Sequence, residues 1–406
     1  MIKPHVVILG AGFGGLTAAR NLAGKAEVTL IDHHNFQTFL PLLYQVATAG
    51  LAADHVAYPI RSVFRKSGVV FKLGTPVAID YGNQSITLKS KDIVYYDHLI
   101  FALGSATADF NIPGVIENTL GLKSISDAIK IRSTIMRQFE TLCRLNNDGK
   151  LNITIVGGGP TGVEMAGALA ELISGPLRND QEFAAKKMKV NLIEAGPRLL
   201  PTFSSSLSNK TKVDLEKMGV TVLINTKVAR VESNKILVGE EEIPSEITIW
   251  AAGVRGEPTA ETLKLPMIKT RIDTTPTLQV RNYQNIWAIG DIAGLSDESG
   301  KLLPMVAPVA LQQGAWVAKQ IINLSNGRSV GEFKYKDKGS MATIGRNKAV
   351  VEVKKLKLTG VPAWFIWIFL HLFYLLGGRN KIGTFADWTW NYITFDRDNR
   401  HIMDND

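Results

Sequence analysis

Cysteine is nearly absent: Cys143 is the only one in 406 residues. No disulfide can therefore close within the chain, and no metal site can be built from several thiolates. A reducing compartment fits, and Cys143, in a helical stretch with arginines, reads as a small half-buried residue. A secretory leader is not expected, because the first apolar segment, His5 to Leu9, meets a glycine turn almost at once. Acid is missing from one long stretch: no Asp or Glu occurs from Val353 through Ala386. There Lys354, Lys355, Lys357, Arg379 and Lys381 bracket an apolar, aromatic-rich run. The formal charge of +9 is thus placed where a basic rim surrounds an apolar core, which favours lipid over nucleic acid. With 45% apolar and 20% charged residues, the chain can bury two or three domain cores, and no low-complexity tract stands out.

What is present is an internal repeat. The order strand, glycine turn, helix, strand ending in an acid occurs twice. The first copy runs from His5 to Leu9 through Gly10-Ala11-Gly12-Phe13-Gly14-Gly15 and a helix to about Leu22, ending in Glu27 to Asp32. The second runs from Asn152 to Val156 through Gly157-Gly158-Gly159-Pro160-Thr161-Gly162 and a helix to about Ile173, ending in Lys189 to Glu194. Strands are also expected around Val69 to Leu73, Ser85 to Leu88, Tyr95 to Phe101, Thr221 to Ile224, Lys227 to Glu232, Lys235 to Val238, Ile247 to Trp250 and Asn285 to Ile289. Helices are expected from about Ser126 to Leu145, with Ser124 or Ser126 as N-cap, and from about Val309 to Leu324. This order predicts an α/β protein with two Rossmann-like dinucleotide-binding domains, the second inserted in the first, and a C-terminal membrane-associating helical segment. The expected domains are 1–112 with 265–330, then 113–264, then 331–406.

Each glycine turn has a chemical reading. Glycine lets the backbone approach a pyrophosphate, and the free N–H groups at the helix start stabilise its charge. Asp32 lies 22 residues after Gly10, where a carboxylate accepts hydrogen bonds from an adenosine ribose. Glu194 lies 37 residues after Gly157; a polar insertion near Ser174 to Lys187 accounts for the excess. Glu194 would bind the ribose hydroxyls of NADH and repel the extra phosphate of NADPH, with Arg198 nearby acting against that preference. Asp291, after an apolar strand, suits the hydroxyls of a flavin ribityl chain. The helix beginning near Pro308 could direct its positive end at the flavin.

The segments Gly10 to Gly15, Pro41-Leu42-Leu43-Tyr44-Gln45-Val46-Ala47-Thr48, Val156 to Glu164, Trp287 to Asp291 and Ala310-Leu311-Gln312-Gln313-Gly314 together resemble the type II NADH dehydrogenases, from about residue 5 to 395. The resemblance implies a respiratory, non-proton-pumping NADH:quinone oxidoreductase with noncovalent FAD, NADH as substrate and a membrane quinone, ubiquinone or menaquinone, as acceptor. Residues implied to hold FAD are Gly10, Gly12, Phe13, Gly14, Gly15, Asp32, His33, Pro41, Leu42, Gln45, Ala102, Gly104, Gly290, Asp291, Ala310, Leu311 and Gln312. Those implied to hold NADH are Gly157, Gly158, Gly159, Pro160, Thr161, Gly162, Glu164, Glu194, Ala252 and Gly253. Gln312 and Gln313 are expected where quinone and flavin meet, and Glu164 near the nicotinamide end as a candidate proton carrier; no metal is expected. Pro308 stands where many members have Gln, and Ala168 where some have a second Glu.

From Val361 to Leu376 a helix would span roughly 24 Å, short of the ~30 Å hydrocarbon core. It is read as lying in the interface or docking on a partner rather than spanning, with residues about 354–395 at the lipid surface, Trp364, Trp367 and Tyr374 at the headgroup boundary and Trp388 and Trp390 as further contacts; a buried core or dimer helix is the other reading. The expected location is the cytoplasmic face of the inner membrane, with room for a homodimer. Two other readings share the nucleotide plan. A dithiol or sulfide-oxidising relative needs a redox cysteine pair that one cysteine cannot supply. A soluble NADH oxidase or ferredoxin-type reductase, or an NADH-sensing flavoprotein with slow turnover, stays open.

Overall fold

The computed structural model describes residues 3–145 and 149–403. They form two compact units. One contains the chain up to Gln37, Tyr58–Ala106 and Val254–Lys338; the other contains Thr38–Ala57, Thr107–Gly253 and the chain from Gly339 onward. The chain thus passes back and forth between the two units, and two stretches differ from the expectation: Thr38–Ala57, expected in the first domain, and the segment from Gly339, expected as a third, both belong to the second unit.

The first unit is built on a five-stranded parallel sheet in the order Ile286–Ala288, His98–Phe101, His5–Leu9, Glu27–Asp32, Val70–Leu73. Its strands are near-continuous apolar runs, as a sheet covered on both faces requires. Val6, Val7 and Ile8 are fully buried, and each contributes about 1.5–3 kcal/mol relative to exposure. Helix Phe13–Leu22 lies against helix Ala307–Ser325, and their crossing depends on Gly314. A Cβ there would lie 2.4 Å from the Gly14 carbonyl oxygen, so this glycine is required by packing. Pro308 sits in the first turn of its helix, where a missing N–H costs nothing.

The second unit repeats the plan with a four-stranded parallel sheet in the order Val220–Leu223, Met188–Ile193, Leu151–Val156, Ile247–Trp250. Helix Ile125–Leu145 precedes it. Its start is fixed reciprocally: the Asp127 amide donates to Ser124 Oγ at 3.1 Å and the Ser124 amide to Asp127 Oδ2 at 2.9 Å. The insertion after helix Pro160–Leu172 forms a π-turn at Ile173–Leu177 and two short helices, Arg178–Asp180 and Glu182–Ala185. Of the strand expected over Lys227 to Glu232, only Arg230–Val231 pairs.

The chain from Gly339 adds a three-stranded antiparallel sheet, Ser340–Gly345, Lys348–Val353 and Leu356–Thr359. Two helices follow, Gly360–Tyr374 and Gly378–Thr394. Helix Pro160–Leu172 meets the first of these strands at Gly167, where a Cβ would sit 1.7 Å from the Ile344 carbonyl oxygen. That close approach brings Glu164, one turn earlier, to the strand edge.

Candidate active site

In the first unit, each glycine of the first turn has its own role. Gly10 takes φ of +105°, and a Cβ there would meet the Ala102 carbonyl oxygen at 2.3 Å. A Cβ on Gly15 would lie 1.9 Å from the Gly10 carbonyl oxygen, which forces the helix close to the strand. Gly12 faces open space, as a turn that admits a pyrophosphate must. Asp32 accepts the Ala11 amide at 2.7 Å and the His34 amide at 2.8 Å, which fixes its carboxylate beside the turn; His33 is exposed next to it. Gly104 takes φ of +78° just beyond Ala102.

Gly290 donates its amide to Gln313 Oε1 at 2.6 Å, and Ser105 Oγ donates to Asp291 Oδ2 at 2.7 Å. Gln313 is fully buried, and its Nε2 has no partner among the described residues. Gln312 makes a two-point contact with the Lys336 backbone, Nε2 to the carbonyl at 2.9 Å and the amide to Oε1 at 3.0 Å. The open ground at Gly12, the fixed Asp32 and the unpaired Gln313 amide fit a bound dinucleotide with a polar isoalloxazine ring.

In the second unit the same division recurs. Gly157 takes φ of +116° against Ala251, a Gly162 Cβ would lie 1.8 Å from the Gly157 carbonyl oxygen, and Gly159 faces open space. Glu194 accepts the Gly158 and Gly196 amides, each at 2.6 Å. Arg198 is committed elsewhere, donating to Ser205 Oγ at 2.8 Å and the Pro201 carbonyl at 2.9 Å. Its guanidinium is therefore held in place by neutral acceptors of its own loop. Gly253, after Ala252, takes φ of +68° under the Phe110 ring.

The second unit also contains a cavity of about 530 Å³ that is partly open to the exterior. Glu164 forms part of its wall with Tyr44, Gln45, Thr343, Trp367 and Trp388. The Thr343 amide donates to Glu164 Oε1 at 3.4 Å. Burial pushes the Glu164 carboxyl up to about 8, against the pull of the Thr343 amide and the Trp367 indole. Burial also raises the Tyr44 phenol well above its ordinary value, and the nearby Glu164 adds to this. Ala168 lines the same cavity, and Glu171 and Asp396 are the other acids of its wall. Neither Gln312 nor Gln313 is among the lining residues.

Residues far apart in sequence close this cavity. Arg397 donates to the carbonyls of Thr48 at 3.0 Å and Ala168 at 2.9 Å, and to Glu171 Oε2 at 2.9 Å. One guanidinium thus ties a loop, a helix and the C-terminal segment together. The polar face of helix Gly378–Thr394 grips the loop before Ala57. Asn380 donates to the Ala57 carbonyl at 2.7 Å, Asp387 accepts from His55 Nδ1 at 2.8 Å, and Asn391 donates to the Gly50 carbonyl at 2.8 Å.

Helix Gly360–Tyr374 is two-faced. Ala363, Trp367 and His371, four residues apart, are buried, whereas Phe365, Phe369 and Phe373 are 60%, 73% and 65% exposed. Trp367, expected at a headgroup surface, is only 2% exposed and stacks on His371 at 4.0 Å. Trp388 likewise turns inward, its Nε1 donating to Gln45 Oε1 at 2.5 Å. Both were expected outside because an aromatic run this dense has no polar face to mark its inner side. Among the described residues no helix is long and apolar enough to cross a membrane.

The pyridine nucleotide-disulphide oxidoreductase family matches residues 4–314. The type II NADH:quinone oxidoreductase Ndh of Mycobacterium tuberculosis is 35% identical over 99% of this chain and 91% of its own length. That of Haemophilus influenzae is 30% identical over 93% and 95%. Among solved structures, NDH2 of Plasmodium falciparum in complex with NADH superposes with a TM-score of 0.88 at 23% identity, covering 99% and 100% of the two chains. At that identity the likeness establishes the fold. The fold and the twin nucleotide turns define a two-dinucleotide oxidoreductase. Within that class, the chain belongs to the type II NADH:quinone oxidoreductases.

Proposed function

We propose that this protein oxidises NADH and reduces a membrane quinone, with noncovalent FAD held by the first unit. The observation that carries the reading is the pair of glycine turns, each with one open glycine and a strand-end carboxylate fixed beside it, in a chain that also contains an acid-lined cavity. Bound FAD would supply the two-electron chemistry, taking hydride from NADH at N5 and reducing the quinone without proton pumping.

The chain's own residues hold, orient and protonate. In the first unit, the turn at Gly10 to Gly15 with Asp32 would hold the adenosine and pyrophosphate, and Gly290, Asp291, Ala310, Leu311 and Gln312 the flavin end. Gln313 locks the Gly290 turn. In the second unit, the turn at Gly157 to Gly162 would hold the NADH pyrophosphate, and Glu194 the ribose hydroxyls. Arg198 is held by Ser205 and Pro201, so its guanidinium is not free to pair with a 2′-phosphate, which Glu194 would repel. Quinone reduction consumes two protons, and Glu164 is protonated at neutral pH, so it holds one of them at the cavity wall.

The exposed Phe365, Phe369, Phe373, Ile382, Phe385 and Ile393, rimmed by lysine and arginine, are the surface by which the protein would rest on the cytoplasmic face of the membrane. The deciding experiment is anaerobic. NADH should bleach the flavin of the purified yellow protein, and a short-chain quinone should restore its colour at the turnover rate. Flavin that stays reduced for minutes in the presence of quinone would favour a sensor, and protein unable to bind flavin would end the oxidoreductase reading.

A further inference from the structure

The inward Trp388 has a chemical consequence. An indole only donates, so its N–H at 2.5 Å must face the carbonyl oxygen of the Gln45 amide. That fixes which end of the amide is which. Gln45 Nε2 then donates to Tyr44 Oη at 2.8 Å. A phenol oxygen that accepts this bond still has its own proton to give. Among the described residues no acceptor takes it. Tyr44 is 4% exposed and lines the cavity, so the donor is left for whatever the cavity holds. The three groups form a hydrogen-bond chain running one way, Trp388 to Gln45 to Tyr44, in which each bond polarises the next.

We propose that the quinone is held in this cavity by one carbonyl oxygen accepting the Tyr44 O–H, and that Trp388 is the positioning residue that sets the direction of that bond through Gln45. The inference rests on the proposed function and names the groups that recognise its acceptor. A quinone carbonyl has lone pairs and no proton, so a site built to bind it needs a committed donor. A phenol free to accept from a neighbour or donate to it would be a weaker one. The helix carrying Trp388 also presents Ile382, Phe385 and Ile393 to the exterior, so acceptor recognition is built into the C-terminal helix.

The test uses the full-length flavin-loaded protein and a short-chain benzoquinone, with its Kd measured by calorimetry beside KM and kcat. Tyr44→Phe should raise Kd and quinone KM about five- to tenfold, the worth of one buried hydrogen bond. Gln45→Glu is the decisive variant, because a carboxylate accepts from Trp388 and Tyr44 alike and turns the phenol away from the cavity. It should weaken quinone binding at least as much as Tyr44→Phe, and the double variant should add nothing further. Trp388→Phe, which keeps an aromatic ring and loses the N–H, should raise Kd about threefold with the KM for NADH unmoved. Unchanged quinone Kd in Gln45→Glu, or a Trp388→Phe variant that only lowers the melting temperature, overturns the donor chain. A wild-type protein that binds no quinone overturns the function itself.

Discussion

Replacing Glu164 by glutamine should make the protein more stable at neutral pH while making it a worse enzyme. The carboxyl titrates near 4.5 in an unfolded chain and near 8 in the fold, chiefly because burial disfavours its anion. Between those values the folded state binds more protons than the unfolded one, so stability falls as pH rises, by about 1.4 kcal/mol per pH unit for a full proton. Carried to pH 7 this is roughly 3 kcal/mol, which relaxation and water at the cavity reduce to about 2. Glutamine cannot ionise and escapes the cost. The assay is a set of thermal melts from pH 4 to 9. The melting temperature of Glu164→Gln should match the wild type near pH 4 and exceed it by a few degrees at pH 7, the gap levelling off above pH 8. Turnover with quinone should fall about a hundredfold, as for loss of a proton donor. A melting difference that does not change with pH would refute the reasoning, because it would mean that the carboxyl ionises as freely inside as outside.

The remaining predictions concern the residues around these sites. Glu194→Gln should cut the NADH-over-NADPH ratio of kcat/KM by about tenfold, the worth of one charged contact; an unchanged ratio would remove Glu194 from the ribose site. Replacing Phe365, Phe369 and Phe373 together by serine should abolish sedimentation with anionic vesicles and leave the melting temperature unchanged, because all three are exposed; continued sedimentation would place the lipid contact elsewhere. Arg397→Met should lower stability by about 3 kcal/mol, since it strands Glu171 and the Thr48 and Ala168 carbonyls; a neutral effect in thermal melts would deny it that bracing role. The His55–Asp387 contact raises the histidine's pKa, mainly through its hydrogen bond. Its stabilisation is therefore complete below about 6.5 and lost as pH rises through the higher folded value; His55→Gln should flatten that alkaline part of the melting profile.

Much of the fold was legible because its signals are local. His5–Leu9 and Glu27–Asp32 form as expected, and the three-glycine spacing recurs in both turns, where backbone contact forbids any side chain at Gly15 and Gly162. The acids at the strand ends were legible for the same reason. The cavity was not. Trp388 and Gln45 are 343 residues apart, and Arg397 meets Glu171 across 226, separations that carry no periodic trace. Tyr44 was visible only as part of a family segment, and Trp388, the partner of Gln45, only as one more aromatic residue near a basic rim. Trp367 could have been found by one clue: with Ala363 and His371 it marks the small or polar stripe of a helix that is otherwise apolar all round. The glutamines show the opposite case, since Gln312 and Gln313 stood out in sequence but their side chains engage the backbone at Lys336 and Gly290.

Helix Gly360–Tyr374 leaves no interior between what faces inward and what faces outward. Trp367 walls the cavity while Phe365 and Phe369, two residues to either side, are bare, so a single layer of side chains separates the cavity from the exposed phenylalanine face. A substitution that swells or shifts one side must be felt on the other. On the proposed function, in which the bare face meets a bilayer and the cavity holds the acceptor, adaptation to a bilayer of different thickness and adaptation to a bulkier acceptor cannot proceed independently.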